Sequence, residues 1–243
     1  MSEPRVAIVT GAGSGINRAT AKLLAEQYAV ALLDRNGDAA AEACAEITGA
    51  GGTAISLEVD VSDRDAVTAA VNAAAAELGG AHILVNGAGY VSYVPFLELS
   101  ETELDRMFAV HVKGTVFCTQ AVLPYMREAG WGRIVNTASI AAYSTQSDVS
   151  HYSAAKSAVI GLTKGLTREI GPWGVTINAI APGAIDTPLL HSIPDSAFQR
   201  AANTAIGRVG TPEECAHTVK FLVSEEAAFI TGWVIGIAGG AYT

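Results

Sequence analysis

The sequence predicts an α/β chain organised around a doubly wound parallel sheet, and three observations lead there. Short apolar, β-branched runs recur along the first half, each ending at a glycine, an acid or an asparagine. Stretches of helical periodicity separate them, so strands alternate with helices. Half of the 243 residues are hydrophobic, enough to bury a sizeable core in one unit spanning 1–243.

Val6-Ala7-Ile8-Val9 is the first expected strand. Thr10-Gly11-Ala12-Gly13-Ser14-Gly15-Ile16-Asn17 follows and opens a helix carrying Leu23, Leu24 and Gln27. A strand, a glycine-rich turn and a helix N-terminus present backbone amides to an anion, so this is a candidate phosphate site. It is not a nucleotide-triphosphate loop, because Ile16-Asn17 stands where Lys-Ser/Thr is required. The second strand, Val30-Ala31-Leu32-Leu33, ends at Asp34. That is roughly the ~20 residues after the turn at which an acid accepts adenosine-ribose hydroxyls. A carboxylate there also repels a 2′-phosphate, which favours NAD over NADP. Arg35 works the other way, but Ser14 supplies no second cation. The competing reading makes Asp34 the N-cap of the helix from about Gly37.

The third strand covers Thr53 to Asp60, with Ser62 expected to cap the next helix. The fourth is Ile83-Leu84-Val85-Asn86, followed by Gly87-Ala88-Gly89, a close backbone approach. Ile134-Val135-Asn136-Thr137-Ala138-Ser139 is a further buried strand that gives out at a serine. Gly11, Asp34, Asp60, Asn86 and Ser139 are thus expected along one sheet edge, where ligands of such folds bind. Tyr152 and Lys156, four apart, share a helix face, and an ammonium near a phenol is expected to lower its pKa. Taken alone, the pair also fits an ordinary surface pair.

Composition narrows the function. A formal net charge of −9 disfavours nucleic acid, and no basic run suggests an anionic membrane. Cys44, Cys118 and Cys215 are too scattered for a disulfide framework, and no histidine pair has metal-ligand spacing. Met1–Arg5 is polar, without the pattern of a signal peptide, so a cytoplasmic location is expected.

In combination, Thr10-Gly11-x-x-x-Gly15, Asp60-Val61, Asn86-x-Ala88-Gly89, Ser139, Tyr152-x-x-x-Lys156 and Pro182-Gly183 with Thr187-Pro188 resemble the short-chain dehydrogenase/reductase family, single-domain branch, from about Arg5 to Gly240. The resemblance implies a Rossmann fold with a seven-stranded, mostly parallel sheet, a substrate flap around 187–207, NAD as cofactor and a homotetramer. It implies that Tyr152 exchanges a proton with the substrate oxygen, that Lys156 tunes Tyr152 and binds nicotinamide-ribose hydroxyls, and that Ser139 holds the substrate oxygen. Ser139 alternatively only caps a turn. Gly11, Ser14, Gly15, Ile16, Asn17, Asp34, Arg35, Asp60, Val61, Asn86, Ala88, Gly89, Pro182, Gly183, Ile185 and Thr187 would surround the cofactor. The tetramer would pack helices Glu101–Ala129 and Tyr152–Ile170 across subunits.

Four positions depart from the family pattern. Asn17 stands where a glycine is usual, Gly87 where a second asparagine is usual, and Ala238 where an aspartate is usual. His111 replaces a catalytic asparagine that holds a water in a proton relay. As a relay residue His111 is expected to work neutral and to be protonated on acidification; the plain alternative is a packing histidine. Among the other histidines, His82 reads as structural, His217 as exposed and His151 as facing away from the Tyr152 side.

Candidate substrate contacts are Ser139, Tyr90, Ala141, Tyr143, Leu189 and Leu190, with Ser92, Tyr93, Ile193 and Phe198 nearby; the lining is apolar and aromatic with a few hydroxyls. The chain is similar to 3-oxoacyl-carrier-protein reductases, but Gly130 and Trp173 stand where those present basic carrier-docking residues. The expected reaction is therefore interconversion of a small, largely apolar secondary alcohol and its ketone, an EC 1.1.1 type. A steroid, a cyclic or aryl alcohol and a sugar derivative all fit. A 3-oxoacyl-thioester reductase and a noncatalytic dinucleotide sensor are the alternatives. A cofactor-free dehalogenase is disfavoured by Asp34 and Lys156.

Overall fold

A computed structural model describes residues 5–143, 147–194 and 203–241. Seven strands form one sheet: β1 (Val6–Thr10), β2 (Ala29–Asp34), β3 (Ala54–Glu58), β4 (Ile83–Asn86), β5 (Gly132–Thr137), β6 (Val175–Pro182) and β7 (Val234–Ile237). Their order is β3-β2-β1-β4-β5-β6-β7. Every pairing is parallel, where a mostly parallel sheet was expected. The helices are α1 (Gly15–Leu24), α2 (Gly37–Gly49), α3 (Arg64–Leu78), α4 (Glu101–Phe108), α5 (Gly114–Ala129), α6 (Ser150–Gly165), α7 (Thr167–Ile170), α8 (Pro188–His191) and α9 (Pro212–Leu222).

Alternation along each strand divides the core in two. On β1, Ala7 and Val9 join Leu24, Leu32, Val219 and Leu222 on one face, while Ile8 joins Leu33, Val71, Leu84, Val122 and Ile134 on the other. Both faces are buried along β1, β2, β4, β5 and β6, which is why these strands read as apolar runs, while the edge strands β3 and β7 are half-buried. Strand order reverses between β1 and β4, opening a crevice at the carboxyl edge.

Several local expectations are corrected. The side chain of Asn36, not Asp34, caps α2 by accepting the Ala39 N–H at 3.1 Å. Asp63, not Ser62, caps α3, accepting from Asp65 and Ala66. Ser62 instead donates its hydroxyl to Asp60 at 2.6 Å. β3 stops before Asp60, and β5 stops two residues short of Ser139. The expected helix over 101–129 is broken by a π-helical turn at Ala109–Lys113, and the one over 152–170 divides at Leu166 into α6 and α7. Part of the segment 187–207 (residues 195–202, with Phe198) lies outside the described residues. No described helix is long and apolar enough to cross a membrane.

Candidate active site

A cavity of about 430 Å³ opens at the crevice. Gly11 supplies the sharp corner after β1, with φ +67 and no room for a side chain, since an added Cβ would lie 2.8 Å from Ala88 Cα. The loop after β4 is pinned to β1 by Thr10, whose Oγ1 accepts the Gly87 N–H at 3.0 Å and the Ala88 N–H at 3.2 Å. The Asp34 carboxylate is set by the turn itself: Oδ2 accepts the Gly13 N–H and Oδ1 the Asn36 N–H, each at 2.8 Å. Hydrogen bonds from Ser62, ahead of the charges of Arg35 and Arg106, hold the Asp60 carboxyl below its ordinary range.

Gly11, Ser14, Gly15, Ile16, Asn17, Asp34, Arg35, Asp60, Val61, Ala88, Gly89, Pro182, Gly183, Ile185 and Thr187 all line this one cavity. Asn86 does not. It is 5% exposed and works beneath the site, its Nδ2 donating to Asn136 Oδ1 at 2.9 Å and Thr119 Oγ1 at 3.2 Å. Asn136 continues the chain to Thr163 of α6 at 2.9 Å, so β4, β5, α5 and α6 are tied together below the cavity.

Ser139, Tyr152, Lys156 and His111 meet on the other wall. Ser139 Oγ accepts the Ala141 N–H at 3.1 Å, capping a 3₁₀ turn at Ile140–Ala142. The turn-cap reading is thus true of its lone pair, while its O–H remains a donor, set beside Tyr152. Lys156 is buried; its Nζ donates to the Thr137 carbonyl at 2.6 Å and stands 5.7 Å from the centre of the Tyr152 ring. In the protein alone burial outweighs the Ser139 hydrogen bond at Tyr152. It pushes Tyr152 up to about 12, against the sequence expectation of a lowered phenol, and Lys156 down to about 7.

His111 sits in the π turn, 2% exposed. Its Nε2 lies 2.8 Å from the Tyr90 carbonyl and 3.3 Å from the Tyr90 amide; the shorter contact assigns the Nε2–H tautomer. Nδ1 is buried without a partner, and the ring meets Tyr152 edge-on at 5.4 Å between centres. Burial first, and Lys156 second, hold its pKa well below 6.5. The protonation on acidification expected from the sequence is thereby moved to more acid conditions than those of an ordinary imidazole.

Tyr90, Ala141, Leu189, Leu190, Tyr93 and Ile193 also face the cavity. Tyr143 does not; it ends the 3₁₀ turn and is 58% exposed. Ser92 turns away, donating to Glu103 at 2.5 Å and meeting His151 Nε2 at 2.9 Å. His151 is therefore buried on another face of α6 from the cavity-lining pair. His82 accepts the Val6 N–H at 3.1 Å, a structural contact, His217 is exposed, and His191 pairs with Asp186 at 2.7 Å. Sequence reasoning missed Arg106, Val110 and Val149 on the cavity wall. Arg106 and Val110 are four apart, one helical repeat, which is the signal that places them on one face.

Glycines that expose only backbone, a fixed carboxylate, and a phenol, hydroxyl and ammonium on one wall define a nucleotide-dependent oxidoreductase of the short-chain type. The chain belongs to the short chain dehydrogenase family, whose model matches residues 5–197. It is 41% identical to the short-chain reductase protein NovJ of Streptomyces niveus, covering 99% of this chain and 95% of that one. It is 39% identical to the cis-4-hydroxycyclohexanecarboxylate dehydrogenase of Sinomonas cyclohexanicum (97% and 96%). It is 40% identical to the NAD(+) 2-dehydro-3-deoxy-L-rhamnonate dehydrogenase of Sphingomonas (98% and 96%). A crystal structure of a short-chain type dehydrogenase/reductase from Mycobacterium marinum superposes with a TM-score of 0.93 at 34% identity, covering 98% of this chain and 95% of that one.

Proposed function

We propose that the protein is an NAD(H)-dependent oxidoreductase that interconverts a small, largely apolar secondary alcohol and its ketone. The observation that carries this reading is the convergence of Ser139, Tyr152 and Lys156 with the glycine turn and Asp34 in one cavity that Tyr90, Tyr93, Leu189, Leu190 and Ile193 also line. The residues fit a dinucleotide: the turn offers backbone at close range, and Asp34 retains lone pairs for ribose hydroxyls. The Asp34 carboxylate, held by the Gly13 and Asn36 amides, would repel a 2′-phosphate, which supports NAD over NADP. Such a cofactor, when bound, supplies or accepts the hydride.

The chain's own part is positional and protonic. The Ser139 hydroxyl holds the substrate oxygen, a contribution that grows as charge develops there. Tyr152 gives that oxygen a proton in reduction and removes it in oxidation. Lys156, anchored on Thr137, holds the ammonium under the phenol and meets ribose hydroxyls. The names of the relatives span cyclic alcohol and sugar-acid substrates, and the apolar wall favours the cyclic class. A carrier-bound thioester is less supported: Gly130 only ends α5, and Arg127 lies over the Trp173 ring.

The test is turnover of cyclic ketones with NADH and with NADPH, alongside a 3-oxoacyl thioester. The expected result is higher kcat/KM with NADH and with the cyclic ketones, with Tyr152→Phe losing at least about 10²-fold in kcat. NADPH preference, thioester preference, or an active Tyr152→Phe enzyme would each contradict the corresponding element.

A further inference from the structure

Asn17 and Gly87 are two departures in the sequence and one object in the structure. Asn17 is on the first turn of α1, yet its amide reaches across to the loop after β4, where Nδ2 donates to the Gly87 carbonyl at 2.9 Å. The amide occupies the place of a side chain at 87: an added Cβ on Gly87 would overlap Oδ1, Cγ and Nδ2 of Asn17. The Gly87 backbone lies outside the left-handed region, so this glycine answers a demand for space and not for conformation. A carbonyl partner admits only the NH₂ end, which fixes the amide's orientation and leaves Oδ1 as the other atom. Oδ1 is buried and has no partner. Both residues line the cavity.

Their place along the cavity is also defined. The turn touches Asp34 at Gly13 and Thr187 at Gly15, so the adenosine-side acid lies at its near end and Asn17 follows the far end. Two residues past Gly87, Gly89 packs on the His111 ring, which meets Tyr152. The amide thus stands on the reacting side of the turn.

We propose that Asn17 is a binding residue for the nicotinamide half of the dinucleotide, its Oδ1 accepting a hydroxyl of that half, and that Gly87 is the vacancy that admits it. The inference rests on the nicotinamide-dinucleotide reading above. A buried acceptor without a donor is unfavourable, and a ligand hydroxyl relieves it. Asn17 and Gly87 then form a coupled pair, whose amide comes from α1 instead of from the strand end.

Calorimetric titration with NADH and with ADP, and melting of each free variant, test this without measuring turnover. The wild type binds both ligands. Asn17→Ala weakens NADH by about tenfold and leaves ADP within about twofold, because ADP lacks the nicotinamide half. Gly87→Asn alone weakens NADH and lowers the melting temperature; adding Asn17→Gly recovers both. Equal losses for NADH and ADP in Asn17→Ala, or none for either, overturn the contact. An exchange variant damaged as much as its two single changes together overturns the pairing. A wild type that binds ADP but not NADH overturns the cofactor reading itself, and with it this inference.

Discussion

At the scale of single residues, burial sets the chemistry. Lys156 falls to about 7 from an unfolded value near 10.5, so the unfolded chain binds more protons between those limits. The Lys156 contribution to stability is therefore lowest below about pH 7 and rises across that window. Tyr152, raised to about 12, acts oppositely above pH 10, where the unfolded chain loses its phenolic proton first. A dinucleotide's negative charge favours the ammonium, so NADH binding at pH 8 is expected to take up a proton. Calorimetry in buffers of different ionisation enthalpy reads this, and Lys156→Met should abolish it; uptake unchanged in that variant would assign the proton elsewhere. For His111 we propose the relay role, with the neutral ring's Nδ1 holding the water. His111→Asn is expected to keep substantial activity and His111→Leu to lose about 10²-fold in kcat. A stable, fully active Leu variant would make His111 a packing residue.

At the scale of elements, the sequence was most informative where one physical demand ruled. β1, β2 and β4 are buried on both faces, so their apolar runs marked them almost to the residue. Choices between chemically similar neighbours were not legible. Ser62 and Asp63 are both good capping residues, and only the path of the chain awards α3 to Asp63. Asp63→Ala is expected to cost about 1 kcal/mol in a denaturant titration and Ser62→Ala to leave the helix cap intact; equal losses would return the cap to Ser62. The π turn around His111 was hidden too, because Ala109–Lys113 is too short for its wider repeat to register in the apolar pattern. Within the site, residues whose backbone meets the ligand region were readable from glycine and strand-end position. Tyr143 and Asn86 were not, since a one-residue difference in direction separates cavity from surface or from core.

At the scale of the whole molecule, the free chain leaves apolar surface uncovered. Leu97, Phe229 and Trp233 are 98%, 103% and 68% exposed, and Leu123, Pro124 and Trp173 line a shallow groove on α5. Exposed apolar groups of this size commonly mark subunit contacts. We propose a homotetramer, expected as a single species of four chains in analytical ultracentrifugation; monomer alone would refute it. The uniform direction of the seven strands has a further consequence, in time and not in space. Parallel neighbours cannot be joined by a tight turn, so each strand is separated from the next by a full crossover. The cavity wall accordingly gathers residues from Gly11 to Ile193, about three quarters of the described stretch. Contacts so distant in sequence form late, after the loop-closure cost of each crossover has been met. During synthesis the glycine turn, Asp34 and Asp60 emerge first, and Tyr152 and Thr187 much later. A partly made chain therefore lacks an assembled cavity, which closes only when the sheet is all but complete.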